Sequence, residues 1–302
     1  MTSNHPTAMD CRPHRVAATP EWMSRQSQRG VTLIELLVGI TIGLMTIAVA
    51  IGSLMVSRGI SGTVSDASQL QQQAAYTFRV LGQQLRQAGS LRLNLAAQKQ
   101  AAASIDVADP VAFETKSTDF DPSINTLSGK DSPTSSEFKL AVGYRNYTEA
   151  LYPAAAEASL FRNCLGQQDA AKPTLIQSQF ALDTTTNELM CAGSDGTRQA
   201  IIQNVADFQV RYLVQTDAAL GLPRIQYVNA ATATADWSRV FGVEVCISLY
   251  GTENIDMPAG STYKNCDGTT NVDMTTLLAP RKNRLHMTFR NVYQLRSQGL
   301  TG

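Results

Sequence analysis

The chain has 302 residues, with 25 basic and 25 acidic side chains and hence no formal net charge. That length suits a membrane segment plus one globular domain, and the charge balance speaks against a nucleic-acid or other polyanionic partner. Three histidines and five cysteines, with no phosphate-loop or dinucleotide glycine pattern, leave no catalytic constellation, no cofactor site and no small-molecule substrate site to point to.

Residues 1–30 form a basic leader, with Arg12, Arg15, Arg25 and Arg29 against Asp10 and Glu21. It ends at Gly30. Residues 31–56 then run apolar, opening Val31-Thr32-Leu33-Ile34-Glu35, and Glu35 is the one charged residue in them. A carboxylate in hydrocarbon costs roughly 2.5–3.5 kcal/mol at mid-membrane and less near an end. The first turn of a helix is where the macrodipole favours it. If the chain is cut after Gly30, Val31 gains an ammonium one helical turn from Glu35. An ordinary secretory signal has an apolar core of about 7–15 residues followed by a small-residue cleavage site, which this longer run lacks. A plain signal-anchor is the better alternative, since about 26 helical residues rise ~39 Å against a bilayer core of ~30 Å. It leaves the Gly-x-x-x-x-Glu spacing unexplained. Basic residues precede the run and only Arg58 closely follows it, so the C-terminal bulk is expected on the outer, periplasmic side.

Residues 57–95 are expected to hold the amphipathic half of the helix. Ile60, Val64, Ala67, Leu70, Ala74, Phe78, Leu81, Leu85 and Ala88 recur in steps of three and four, while Asp66, Gln69, Gln72, Gln73, Arg79, Gln83 and Arg86 mark a polar face. No proline interrupts the chain from Val31 to Asp109, and Gly89-Ser90 reads as the stop. One helix of ~85 Å follows, apolar all round in its first half and amphipathic in its second. Gly39-x-x-x-Gly43 permits close helix approach.

Residues 96–302 read as a β-rich domain. Residues 96–136 look like loop. Strands are predicted at Glu137–Tyr144, Thr174–Leu182 and Glu188–Cys191, the last two joined by a turn at Thr184–Asn187. Ala200–Val214 reads as one strand, followed by Arg224–Val228, Val240–Tyr250 and Arg284–Leu295. In Val240–Tyr250, Phe241, Val243, Val245, Ile247 and Leu249 alternate against Glu244, Cys246 and Ser248, which puts Cys246 on the sheet face away from the helix. The fold class is α+β, a long N-terminal helix laid on a mostly antiparallel sheet.

Cys11 falls in the leader. Cys164, Cys191, Cys246 and Cys266 remain, an even number suited to an oxidising compartment. Of three possible pairings, Cys164–Cys191 with Cys246–Cys266 is favoured because each closes a short local loop. A metal site lacks Cys-x-x-Cys spacing and histidine company. His286 lies on the polar side of its strand and reads as a surface residue. The Asp267–Asp273 loop departs from the calcium-loop pattern and reads as plain polar loop. Arg281, Lys282, Arg284, Arg290 and Arg296 read as a solvated face near Glu244 and Asp273. Tyr144, Tyr147 and Tyr152 gather about a loop, as a partner contact or as packing.

The start of the run resembles the signal of type IV prepilins: a basic leader ending in Gly30, an apolar first residue, then Thr32-Leu33-Ile34-Glu35-Leu36. Val31 stands where that family usually has Phe. Asn204–Tyr212, Trp237 before the Val240–Leu249 strand, and Arg284–Arg296 resemble the C-terminal blocks of PilW-type minor pilins. The resemblance implies cleavage between Gly30 and Val31 by a prepilin peptidase, N-methylation of Val31, and pairing of Glu35 with the terminal amine of a neighbouring subunit. It implies an inner-membrane subunit with a periplasmic domain that enters a pilus beside other minor pilins and the major pilin. A minor pseudopilin of a type II secretion system, or a filament-borne adhesion or DNA-binding module, are the alternatives.

Overall fold

The computed structural model describes residues 30–94, 112–114, 117–150, 157–216, 224–234 and 237–295. Residues 1–29 with Cys11, together with Tyr152 and Arg296, lie outside the described residues. The chain divides into two compact units, the first ending at Met55 and the second starting at Val56.

Helix α1 runs from Leu33 to Gln87. Its start is fixed locally. The Thr32 carbonyl accepts the first helical bond from Leu36 at 3.1 Å. The Thr32 hydroxyl accepts from the Glu35 N–H at 3.4 Å. Thr32-x-x-Glu35 is thus a capping-box sequence. In the first unit the apolar side chains lie open, and the helix is long and apolar enough to cross a membrane. The hydroxyls of Thr41, Thr46 and Ser53 donate to carbonyls one turn back, at 2.8–2.9 Å, so they carry no unmet donor into apolar surroundings.

In the second unit the helix buries Asp66, Leu70, Ala74, Thr77, Leu81, Gly82, Gln84 and Leu85. Ile60 and Val64, expected on the packed face, are 62% and 63% exposed. Gly89, at φ 71°, ends the helix and donates its N–H to the Gly143 carbonyl at 2.8 Å.

The strands follow as β1 (Leu93–Asn94), β2 (Ala112–Phe113), β3 (Leu127–Gly129), β4 (Leu140–Arg145), β5 (Glu149–Ala150), β6 (Glu157–Ala158), β7 (Leu175–Asp183), β8 (Glu188–Ala192), β9 (Arg198–Ile202), β10 (Val205–Thr216), β11 (Arg224–Val228), β12 (Val240–Tyr250), β13 (Thr262–Lys264), β14 (Asn271–Asp273) and β15 (His286–Gln294). Short helices α2 (Pro122–Asn125) and α3 (Ala230–Ala233) are capped by Asp121 and Asn229. Two sheets dominate, in the orders β3-β4-β7-β8-β9 and β11-β10-β12-β15, with every pairing antiparallel. The architecture is α+β. Leu70, Ala74, Leu81 and Leu85 of α1 share one core with Phe180 and Leu189 of the five-stranded sheet and with Val243, Val245, Ile247 and Leu249 of the four-stranded sheet.

The predicted strand Ala200–Val214 is two strands in two sheets. Asn204 sits at φ 61°, outside the β region, and passes the chain from β9 to β10. Its carbonyl accepts from Tyr250, while the Val205 N–H donates to Asn187.

Candidate functional site

The start of α1 displays the first candidate group. Val31 is 68% exposed and Glu35 is exposed in the first turn, where the helix dipole favours its charge. Gly39, Gly43, Gly52 and Gly59 face open space, so a Cβ at any of them would touch nothing among the described residues. These glycines serve no packing within the described residues.

The second group holds α1 to the β-rich domain, and part of it is a correction. Asp66, expected on the polar face, is 3% exposed. Its carboxylate accepts from the N–H of Thr252 at 3.2 Å, the Thr252 hydroxyl at 3.1 Å and the N–H of Glu253 at 2.9 Å. The turn after β12 brings these donors to the helix, and the carboxylate is tolerated in the interior because its oxygens are multiply hydrogen-bonded. Gly251 is obligatory there, since a Cβ would overlap the Asp66 carboxylate. Further along, buried Gln84 accepts from the Tyr144 hydroxyl at 3.2 Å and the Ser178 hydroxyl at 3.0 Å, and donates to the Arg162 carbonyl at 3.3 Å. The Tyr293 hydroxyl donates to the Phe78 carbonyl at 2.7 Å, and its ring fills the place a Cβ at Gly82 would take. Gln84 adjoins Leu85 on the buried stripe, but periodicity counts apolar residues and so passes over it.

The third group covers the outer face of the four-stranded sheet. Cys246 is bonded to Cys266 there, while the other disulfide joins Cys164 to Cys191 of the five-stranded sheet. Cys246 pairs in register with Arg290, Ser248 with Thr288 and Tyr250 with His286, all on the face opposite the core. The segment 251–285 folds over this face. The Thr288 hydroxyl donates to the Lys264 carbonyl at 2.7 Å, and Arg290 donates to the Cys266 carbonyl at 2.7 Å. That cover corrects the reading of His286. It points away from the core as expected, yet it is 5% exposed because Tyr263 stacks on it at 4.5 Å. Burial pushes its pKa below the usual 6.5.

The remaining candidates are structural. Arg290 pairs with Glu244 at 3.4 Å. Asp267 is held near pKa 2 by the Thr270 hydroxyl and the N–H groups of Thr270 and Thr269, so its oxygens serve a turn. Among the described residues, no group of three or more His, Cys, Asp or Glu is placed to hold a metal ion. Tyr144 is buried in the core, its hydroxyl pushed up in pKa by desolvation. Tyr147 packs edge-on against Phe161 at 5.0 Å.

Residues 164–297 match the family of type IV pilus-assembly protein W. Residues 25–51 match the prokaryotic N-terminal methylation motif. Among solved structures, the chain is similar to a type IV-like pilin from Thermus thermophilus, at 15% identity over 75% of this chain and 95% of that one, with a TM-score of 0.34. No curated protein matches. The methylation motif at the head of an apolar helix and the assembly-protein match across the region that carries both disulfides are together the features of a PilW-like type IV pilin.

Proposed function

We propose that this type IV pilin is a minor subunit that helps start filament assembly at the inner membrane. A prepilin peptidase cuts between Gly30 and Val31 and methylates the Val31 amine. Residues 31–56 then hold the subunit in the bilayer with the domain in the periplasm, until it joins other minor pilins and the major pilin. The carrying observation is the exposed first turn: Glu35, one carboxylate in an otherwise uncharged run, lies within the methylation-motif match. Within hydrocarbon or a helix bundle that charge needs a partner, and a neighbour's terminal amine supplies one. The open glycines and the exposed Ile60 and Val64 support the same reading, since they leave apolar surface for neighbouring helices.

Glu35 also occupies the third position of a capping box, so loss of charge must be separated from loss of the cap. Glu35→Gln keeps a capping-box residue and removes the charge. The variant is expected to insert and be processed normally, yet to be absent from sheared filaments. Normal incorporation overturns the pairing role. Intact-mass measurement of filament-borne protein tests the cleavage, which fails if Gly30 is still attached. Loss of pili on deletion, with secretion intact, separates this role from that of a pseudopilin.

A further inference from the structure

His286 opens β15 beneath the segment 251–285, in a sandwich between Tyr263 of β13, 15° from parallel, and Tyr250 of β12, whose ring centre is 5.8 Å away. Its Nδ1 lies 2.9 Å from the Arg284 carbonyl. A carbonyl only accepts, so Nδ1 carries the hydrogen and Nε2 is the lone-pair nitrogen of a neutral ring. Nε2 is buried and has no hydrogen-bond partner among the described residues. Protonation would place a new donor there with nothing to receive it, and the charge acting on His286 is the cation of Arg281. The other groups around the sandwich are Tyr250, Tyr263 and Arg284, with Asp207 of β10 acting on Tyr263.

The same corner grips α1. The Gly251 N–H donates to the Leu285 carbonyl at 2.8 Å, the residue before His286, and the next two residues hold Asp66. The segment is tied down at its middle by the Cys246–Cys266 bond. Its near end, where residues 251 and 285 meet beside His286, depends on the aromatic packing and on a few backbone bonds.

We propose that His286 is the pin of an acid-sensitive latch: its protonation releases the near end of segment 251–285 from the sheet, and with it the turn that holds Asp66 of α1. The open form takes a proton at the ordinary pKa of about 6.5, whereas the closed form resists it. The latch is therefore closed above that pH, and its opening constant rises by up to tenfold per pH unit below it. This inference does not depend on the filament role.

The test is hydrogen exchange of the full chain in detergent micelles between pH 7.5 and 5.0, corrected for intrinsic rates, alongside the His286 imidazole resonance. Protection of residues 251–285 is expected to fall below pH 6.5 while that of β4 and β7 holds. His286→Phe keeps an aromatic ring in the sandwich and is expected to abolish the pH dependence. Should that variant not fold, His286→Gln and the wild-type resonance serve instead. Unchanged protection down to pH 5.0, or acid opening that persists without His286, overturns the latch.

Discussion

The carboxylate of Asp66, on the long helix, accepts the backbone N–H of Thr252, 186 positions away in the chain, at 3.2 Å, and that of Glu253 at 2.9 Å. One buried acid thus closes the turn that leaves β12, an inner strand of the four-stranded sheet. Asp66→Ala strands buried donors and is expected to cost about 2–4 kcal/mol, with Asp66→Asn costing less because one acceptor oxygen remains. Gly251→Ala is expected to displace the carboxylate and cost a similar amount. The double variant is expected to be much less destabilised than the sum, because both remove one interaction. Denaturant midpoints of the detergent-solubilised chain followed by near-UV circular dichroism check this.

Gln84 joins the helix to two strands and a loop through one amide. Gln84→Leu has nearly the right size but no polar atoms, and leaves the Ser178 hydroxyl without its acceptor. A loss of about 2 kcal/mol is expected. Coupling of about 1 kcal/mol with Tyr144→Phe is expected in a double-mutant cycle, since Gln84 and Tyr144 share one hydrogen-bond network.

The two disulfides enclose loops of similar size, with separations of 27 and 20 residues. Constraint of the unfolded chain predicts about 3 kcal/mol for each. Replacing Cys246 and Cys266 by Ser is expected to lower stability by that amount. It is also expected to loosen the cover over His286, so that the imidazole titrates nearer its ordinary 6.5. Replacing Cys164 and Cys191 is expected to cost as much stability and leave the histidine titration unchanged. Thermal unfolding and the His286 resonance read the two effects separately.

Acid should weaken the fold in two separate windows. Neutral, buried His286 has a lowered folded pKa, so its contribution is complete above 6.5 and falls as the pH drops below it. Glu137 and Asp267 are also depressed, each to about 2, the first chiefly by Lys130 and the second chiefly by the Thr270 hydroxyl. Their contribution is complete above their ordinary values of 4.5 and 3.8 and is lost as the pH falls through about 2. His286→Phe is expected to flatten the stability profile between pH 7 and 5 and keep the drop below 4. Denaturant midpoints across pH distinguish the two.

The local parts of this protein are written locally. Gly30 to Glu35, the apolar run to Val56 and the helical stripe through Leu70, Leu81 and Leu85 can be read from spacing, because a helix is built from contacts three and four residues apart. The strict alternation of Val243, Val245, Ile247 and Leu249 likewise names a strand and its buried face, and it puts Cys246 on the other one. Tertiary structure decided what covers each face. Asp66 and His286 are polar and stand where periodicity assigns solvent. Both are buried, because the segment after β12 returns over the sheet and brings Thr252, Glu253 and Tyr263 to them. Nothing within a few residues of either position encodes that return. The split of Ala200–Val214 between two sheets turns on the left-handed backbone of Asn204, which alternation cannot report. The sequence by itself therefore determined the membrane-length helix, its lone acid and the alternating strand Val240–Tyr250. The three-dimensional arrangement alone decided which polar groups those elements enclose, because burial is set by chain segments distant in sequence.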